Sequence, residues 1–370
     1  VEEPFRFVDD LGPAKIIHVS QPTLGLRATL VVDNVARGPS IGGLRMAPDV
    51  STEECFRLAR AMTLKNSAAD LAHGGGKCVL YGDPAMPIEK KEELIRAFAA
   101  ALRNEVDYIF GPDMGTDEQC MAWVKDEIGR AVGLPREIGG IPLDEVGATG
   151  FGLRHATEAA LPYCTFPLAG ARVVVQGFGA VGRHAARFLV EGGAKLVAAS
   201  DSRGTIHDPE GLDVTALAAL KDQGKSVAEL GRGRRLDREA VLDVECDIWI
   251  PAARPDVIRE DNVSRLRTKL VVPGANIGVT YEAERRLHER GVVCVPDFIA
   301  NAGGVICAAM EYRGATQASA FEVIAEKIRA NTDEVLRSAE RERCIPREAA
   351  VALASSRVRR AMATRRFAVF

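Results

Sequence analysis

The chain has 370 residues, 47% of them hydrophobic and 27% charged with both signs interspersed, which leaves room for two domains with proper cores and argues against long disordered stretches. A formal net charge of -3 gives no electrostatic reason to expect nucleic acid or an anionic membrane as partner. The eight cysteines stand singly from Cys55 to Cys344, with no C-x-x-C pair and no histidines at zinc spacing, so neither a disulfide framework nor a metal site is indicated and a reducing cytoplasm fits.

The first residues, Val1-Glu2-Glu3-Pro4, lack a basic and then apolar leader, and no apolar run approaches the ~18 to 20 residues of a membrane span, so export is not expected. Strand-like and helical segments then alternate from end to end, the pattern of an α/β protein. A first strand is predicted over 27–35. Ser51-Thr52-Glu53-Glu54 reads as a capping box opening a helix with Phe56, Ala59 and Met62 on its buried face, which reaches Met62-Thr63-Leu64-Lys65. His73-Gly74-Gly75-Gly76-Lys77 reads as a side-chain-free turn running into a strand over 78–82, and a further strand is predicted over 108–110.

A composition change at Gly139-Gly140-Ile141-Pro142 marks the end of a first domain, 1–140. Thr149-Gly150-Phe151-Gly152 opens a helix, and strands are predicted over 171–176, 195–200, 246–250, 269–272 and 292–295 at helix-length intervals. That is a doubly wound, Rossmann-type sheet, 141–315. In the last segment, 316–370, Phe321, Ile324, Ile328 and Val335 recur at helical spacing, and Pro346 suits the first turn of a final helix carrying Val351, Leu353 and Val358. Arg357, Arg359, Arg360, Arg365 and Arg366 read as a solvated helix face.

Two features carry chemistry. Lys65 and Lys77 form a lysine pair beside the glycines, where one ammonium can hold a carboxylate while its neighbour, desolvated and repelled by the first, becomes a base. Lys77, at the glycine-to-strand junction, is the better base. The second feature is Gly177-Phe178-Gly179-Ala180-Val181-Gly182 between a predicted strand and helix, the G-x-G-x-x-G arrangement that lets backbone approach a pyrophosphate at a helix amino terminus. Asp201 follows the next strand where a carboxylate accepts from the adenosine ribose, favouring NAD; Ser200, Ser202 and Arg203 leave NADP open.

Several separated motifs together resemble the family of glutamate, leucine, valine and phenylalanine dehydrogenases. They are Gly38-Pro39-Ser40-Ile41-Gly42-Gly43-Leu44-Arg45-Met46, Met62-Thr63-Leu64-Lys65-Asn66, Gly74-Gly75-Gly76-Lys77, Gly111-Pro112-Asp113-Met114, Thr149-Gly150-Phe151-Gly152, the nucleotide loop, and Pro296-Asp297-Phe298-Ile299-Ala300-Asn301-Ala302-Gly303-Gly304. The resemblance implies reversible oxidative deamination of an L-amino acid to a 2-oxo acid and ammonia. It implies that Lys65 holds the substrate α-carboxylate, Lys77 activates water and Asp113 shuttles protons at the amino group. Gly43 leaves backbone free for substrate, Thr149 and Asn301 contact the nicotinamide carboxamide, and Asn276 lies near ribose and substrate. It also implies domains closing over the cofactor, terminal helices returning to the first domain, and a homo-oligomer.

Glutamate dehydrogenases of this family have a lysine where this chain has Ile41, and a serine where it has Ala308, both contacting the distal carboxylate. Isoleucine and alanine would strip water from that carboxylate without replacing it, so an aliphatic or aromatic substrate is expected. Alternatives are a glutamate dehydrogenase using Arg27 or Arg45 as the distal cation, or a catalytically silent nucleotide-binding regulator. His73 is expected to be packed, and Cys78, starting a buried strand, to be inert.

Overall fold

The computed structural model of the chain describes residues 5–365, so the expectations for Val1-Glu2-Glu3-Pro4 and Arg366 lie outside the described residues. Among the described residues, contacts divide the chain into two compact units, one of 5–143, 305–320 and 351–365, the other of 144–304 and 321–350.

The first unit is built on a five-stranded sheet of β1 (Lys15–Gln21), β2 (Leu26–Asn34), β3 (Ser40–Ala47), β4 (Gly74–Tyr81) and β5 (Tyr108–Pro112), in the order β1-β2-β4-β3-β5. β3 runs parallel to both β4 and β5, whereas β2 pairs antiparallel with β1 and β4. Helix α1 (Thr52–Ala68) packs on one face, where Cys55 and Ala59 meet Val31 and Val79. On the other face α2 (Ile88–Ala101) and α3 (Glu118–Ile128) bury Ile95, Phe98 and Met121 against Leu44, Met46, Cys78 and Phe110. Ser51 caps α1 as expected, accepting from Glu54 N at 3.1 Å.

Two local readings are corrected. Gly74, Gly75 and Gly76 are the start of the central strand β4, not a turn before it. They are glycine because neighbours sit where side chains would go: a Cβ on Gly75 would lie 1.9 Å from Thr63 N, and one on Gly74 1.8 Å from Asn34 O. The buried stripe of α1 is likewise Cys55, Ala59, Thr63 and Asn66, while Phe56 and Met62 are only half-buried, because so close an approach of helix to strand admits only small side chains.

In the second unit, α4 (Leu143–Val146) and α5 (Ala148–Ala160) precede a seven-stranded sheet. Its strands are β6 (Arg172–Gln176), β7 (Lys195–Asp201), β8 (Gly204–His207), β9 (Arg234–Leu236), β10 (Ile248–Pro251), β11 (Leu270–Val271) and β12 (Val293–Cys294), in the order β12-β11-β10-β6-β7-β8-β9. The five strands from β12 to β7 are parallel, with the order reversing between β6 and β10, which is the switch point where such folds bind ligands. β8 and β9 add an antiparallel edge that the sequence reading missed. Both strands are short, and β9 is exposed at Arg234 and Arg235, so neither shows an apolar run. Helices α6 (Ala180–Glu191), α7 (Val214–Asp222), α8 (Tyr281–Glu289) and α9 (Asp297–Ala300) complete this part.

The chain ends in α10 (Gly303–Tyr312), α11 (Gln317–Glu342) and α12 (Pro346–Thr364). The segment expected as one block, 316–370, is shared: 321–350 belongs to the second unit, where Phe321 stacks on Phe151 at 4.6 Å. Residues from 351 onward belong to the first. There Ser67 Oγ donates to Ala354 O at 2.8 Å, and Arg357 Nη1 donates to Ala68 O at 2.9 Å, capping α1. Arg357 is therefore not part of a solvated face, Arg359 pairs with Asp10, and Val351 points to solvent rather than inward.

Candidate active site

Lys77, midway along β4, meets Asp113, which directly follows β5. Lys77 Nζ lies 2.6 Å from Asp113 Oδ2, and the same oxygen accepts from Arg45 Nε at 3.0 Å. Arg45 Nη1 in turn donates to Glu54 Oε1 at 2.6 Å, so β3, β4, α1 and the end of β5 contribute to one charged cluster. Lys77 is 6% exposed, so the pair is almost wholly desolvated on the lysine side. Burial alone would raise the Asp113 carboxyl, but the charges of Lys77 and Arg45 outweigh it and hold it below its ordinary value of 3.8. A carboxylate in hydrogen-bond contact with a lysine is a unit between whose two groups a proton can pass.

Gly43 lies against this pair. A Cβ there would stand 2.7 Å from Asp113 Cβ and 3.0 Å from Lys77 Nζ, so a side chain would occupy the space beside this pair. Ile41, two residues earlier in β3, shares that strand face and is 4% exposed. Lys65 stands late in α1, the helix covering the face; its neighbour Asn66 donates to Gly74 O at 2.6 Å and Ile41 O at 3.3 Å. Ala308 is buried in α10, in a stretch belonging to the same unit. His73 is packed, with Nδ1 3.0 Å from Pro39 O, and burial pushes its pKa down. Cys78 is fully enclosed against Tyr108, and burial pushes its thiol far up, which makes it inert.

The second unit carries the fingerprint loop, each glycine with its own reason. Gly177 has φ +94° and a Cβ there would meet Ala253 at 2.7 Å; Gly182 would strike Gly177 O at 1.9 Å; Gly179, the N-cap of α6, has open space above it. A negatively charged group would fit that space, facing the helix amino terminus. The loop, including Phe178, borders a groove of about 330 Å³ shared with Asp201, Ser202 and the residues after β10, whereas Ala180 and Val181 begin α6. Arg203 turns away, donating to Gly224 O at 2.7 Å. Asp201 is in the expected place, but its oxygens already accept from Lys221, Ser226 and the backbone of Arg203 and Val227.

Further along the same unit, Asn301 is 3% exposed and donates to Asn276 Oδ1 at 3.0 Å and to Gly274 O at 3.3 Å. Its own Oδ1 is buried without a partner, the condition an incoming carboxamide N–H would relieve. Thr149 stands close by, its Oγ1 3.1 Å from where a Cβ on Gly304 would be. The residues fit a nicotinamide dinucleotide on both counts.

Two family models match the chain in sequence: "Glu/Leu/Phe/Val dehydrogenase, dimerisation domain" over 13–130 and "Glutamate/Leucine/Phenylalanine/Valine dehydrogenase" over 139–366. The chain belongs to the Glu/Leu/Phe/Val dehydrogenase family. It is 39% identical to the NADP(+)-dependent glutamate dehydrogenase of Pyrobaculum calidifontis, over 81% of this chain and 77% of the relative. It is 36% identical to the NAD-specific glutamate dehydrogenase of Staphylococcus aureus, over 84% and 78%. Among solved structures, a hetero-hexameric glutamate dehydrogenase from Thermus thermophilus, in a leucine-bound form, superposes with a TM-score of 0.85 at 31% identity, covering 97% of this chain and 91% of that one. As a member of the Glu/Leu/Phe/Val dehydrogenases the chain is an amino-acid dehydrogenase, with the two-domain α/β fold the sequence led us to expect. Among the described residues no helix is long and apolar enough to cross a membrane.

Three residues of this dehydrogenase escaped the sequence reading. Arg45 appeared there only as a possible distal cation, yet it binds Asp113 and Glu54. Glu311, 9% exposed, accepts from Leu134 N and Ile141 N, both at 3.1 Å, and so ties that loop to α10. Arg347 joins Glu284 and Asp297, whose Oδ2 accepts from Ile277 N at 2.6 Å, thereby holding the segment next to Asn276. In sequence these were only charged residues, and most of their partners are brought in by the fold from distant segments.

Proposed function

We propose that the chain catalyses the reversible NAD(P)-dependent oxidative deamination of an apolar, aliphatic or aromatic L-amino acid to its 2-oxo acid and ammonia. The observation that carries this reading is Ile41, buried on the strand face that Gly43 shares with Lys77 and Asp113. A substrate whose Cα sits beside that pair would lay its side chain along Ile41, where an apolar group gains from burial and a carboxylate loses its water unpaired. Both substitute cations are engaged: Arg45 with Asp113 and Glu54, and Arg27 over the Tyr81 ring at 5.4 Å.

In this proposal Lys65 binds the α-carboxylate and Asp113 takes a proton from the substrate ammonium as Cα is oxidised. A bound nicotinamide dinucleotide supplies the hydride acceptor. Lys77 then deprotonates the water that attacks the imino carbon, and Asp113 returns a proton to the departing ammonia. Asn301, Thr149 and Asn276 would hold the nicotinamide end and Gly177, Gly179 and Gly182 the pyrophosphate. A homo-oligomer is the assembly we infer from the dimerisation-domain match, and the Thermus relative, a hetero-hexamer, supports assembly but not that its subunits are identical.

A second reading, glutamate as substrate, is favoured by the names of the relatives above. The two are separated by kcat/KM for leucine, valine, phenylalanine and glutamate with either cofactor. We expect an apolar amino acid to lead by at least ~100-fold, since an unpaired buried carboxylate costs several kcal/mol; a lead for glutamate would refute the apolar pocket.

A further inference from the structure

Glu311 is a buried carboxylate that the proposed chemistry does not use. It stands near the end of α10, one turn after Ala308, and holds backbone donors from both ends of the loop 133–141. Oε1 accepts from Leu134 N and Oε2 from Ile141 N, both at 3.1 Å, and the N–H of Gly133 is a third donor. Burial raises the Glu311 carboxyl above its ordinary value although those donors lower it. A charge kept in such a place acts as a clip: without it, N–H groups of the buried Leu134 and Ile141 would lose their acceptors.

The clipped loop lies against the residues that lead into Asp113. Ala131 bridges Phe110 of β5, and Val132 N donates to Phe110 O at 2.8 Å. Gly133 follows with φ +70°, and a Cβ there would stand 2.6 Å from Pro112 Cδ, so loop backbone and proline ring are already in contact. Pro112 is joined directly to Asp113, whose Oδ2 is shared by Lys77 and Arg45. Because the ring fixes the φ of Pro112, a shift of the ring is passed on to Asp113 rather than absorbed. We propose that Glu311 is a positioning residue for Asp113, holding the loop 133–141 against Pro112 so that the Asp113 carboxylate keeps its place beside Lys77. The inference rests on the reading of Asp113 as a proton-transfer group and adds a distant residue that sets where this group stands.

The test is steady-state kinetics on Glu311→Gln, alone and combined with Asp113→Asn, using whichever of leucine, valine, phenylalanine and glutamate the parent oxidises fastest. Glutamine keeps the length but sets an NH2 against one of the N–H donors, so one anchor is lost. The single variant should lose about 10- to 100-fold in kcat with KM changed by less than about twofold, as a displaced catalytic group requires. Added to Asp113→Asn it should cost less than about twofold more, since the group it positions is gone. The fall in melting temperature, by contrast, should be the same in both backgrounds. Pro112→Ala removes the ring atoms that the loop leans on and leaves the Glu311 bonds in place; it should repeat the kcat loss, and it decides the matter alone if Glu311→Gln does not fold. An unchanged kcat, or equal losses with and without Asp113→Asn, would overturn the proposal. So would a rise in KM at constant kcat, which would trace the effect to Ala308 on the same helix. If Asp113→Asn by itself turned over at the parental rate, the proton-transfer reading would fall and this inference with it, whereas a crippled Asp113→Asn with additive Glu311→Gln would count against Glu311 alone.

Discussion

Lys77 Nζ and Asp113 Oδ2 form an ion pair of 2.6 Å, and Arg45 Nε reaches the same oxygen at 3.0 Å. One carboxylate oxygen therefore serves two cations that differ in kind. The lysine can give up its proton; the guanidinium cannot. If Lys77 and Asp113 act as one proton-transfer unit, Lys77→Ala and Asp113→Asn should each lower kcat by about 10²- to 10⁴-fold. The double variant should be scarcely worse than either single one, because groups that act together do not add. Steady-state kinetics on the three proteins checks this; strictly additive losses would mean separate roles.

Arg45 is predicted to set the acid side of the pH profile. Burial raises the Asp113 carboxyl, and Lys77 and Arg45 together more than reverse that, leaving it below 3.8. Glu54 faces the cluster through Arg45, and Cys55, Cys78 and Tyr108 are the other titratable groups nearby. Arg45→Gln should move the acid limb of kcat/KM to higher pH. The same linkage affects stability: a depressed carboxyl stabilises the fold above its unfolded pKa and loses that contribution as pH falls through the folded one. The variant should therefore lose less stability on acidification than the parent does. An unshifted limb would remove Arg45 from the account.

Gly43→Ala isolates geometry from charge. The added methyl would sit 2.7 Å from Asp113 Cβ, closer than packed atoms allow, so the carboxylate must move. A displacement of this size should reduce kcat by about 10- to 100-fold, and a melting temperature within a few degrees of the parent would show that the fold is kept. Undiminished turnover would place the reacting atoms elsewhere.

The elements that could be read from sequence were those whose cause is local. Ser51 caps α1 because its hydroxyl reaches a backbone N–H three residues on, and the strand-loop-helix at Gly177 follows from neighbouring residues. Gly74-Gly75-Gly76 misled because glycine marks a turn and a close approach alike, and the approach to Thr63 comes from a helix placed by the tertiary fold. Asp201 was legible as a carboxylate at the right distance; the four donors that occupy it were not. Three of them, Lys221, Ser226 and Val227, are brought in by later residues.

Arg347 is a stability prediction of this nonlocal kind. Glu284 and Asp297 are 4% and 6% exposed in their side chains, and Arg347 binds both. Burial raises the Glu284 carboxyl even with the guanidinium present. Arg347→Ala would leave two buried carboxylates without their cation, costing about 3 to 5 kcal/mol by urea unfolding at neutral pH. The cost should shrink on acidification, as Glu284, whose carboxyl burial raises, takes up a proton. A loss of under ~1 kcal/mol would show that water replaces the arginine without penalty.

Ile41→Lys combined with Ala308→Ser supplies both contacts that the family resemblance assigns to a distal carboxylate. Alone, the new lysine is a buried charge without a partner, so the variant should melt lower than the parent. Glutamate or 2-oxoglutarate should restore part of that loss by binding the folded state, and leucine should not. In kinetics the kcat/KM ratio of glutamate to leucine should rise by 10²-fold or more, about 2.8 kcal/mol at 1.4 kcal/mol per tenfold. Both readouts follow from one placement, the side chain of residue 41 on the face that Gly43 shares with Lys77. If the variant melted lower but glutamate neither rescued it nor gained in kcat/KM, the substrate side chain would have to point away from β3, and Ile41 would be a core residue only.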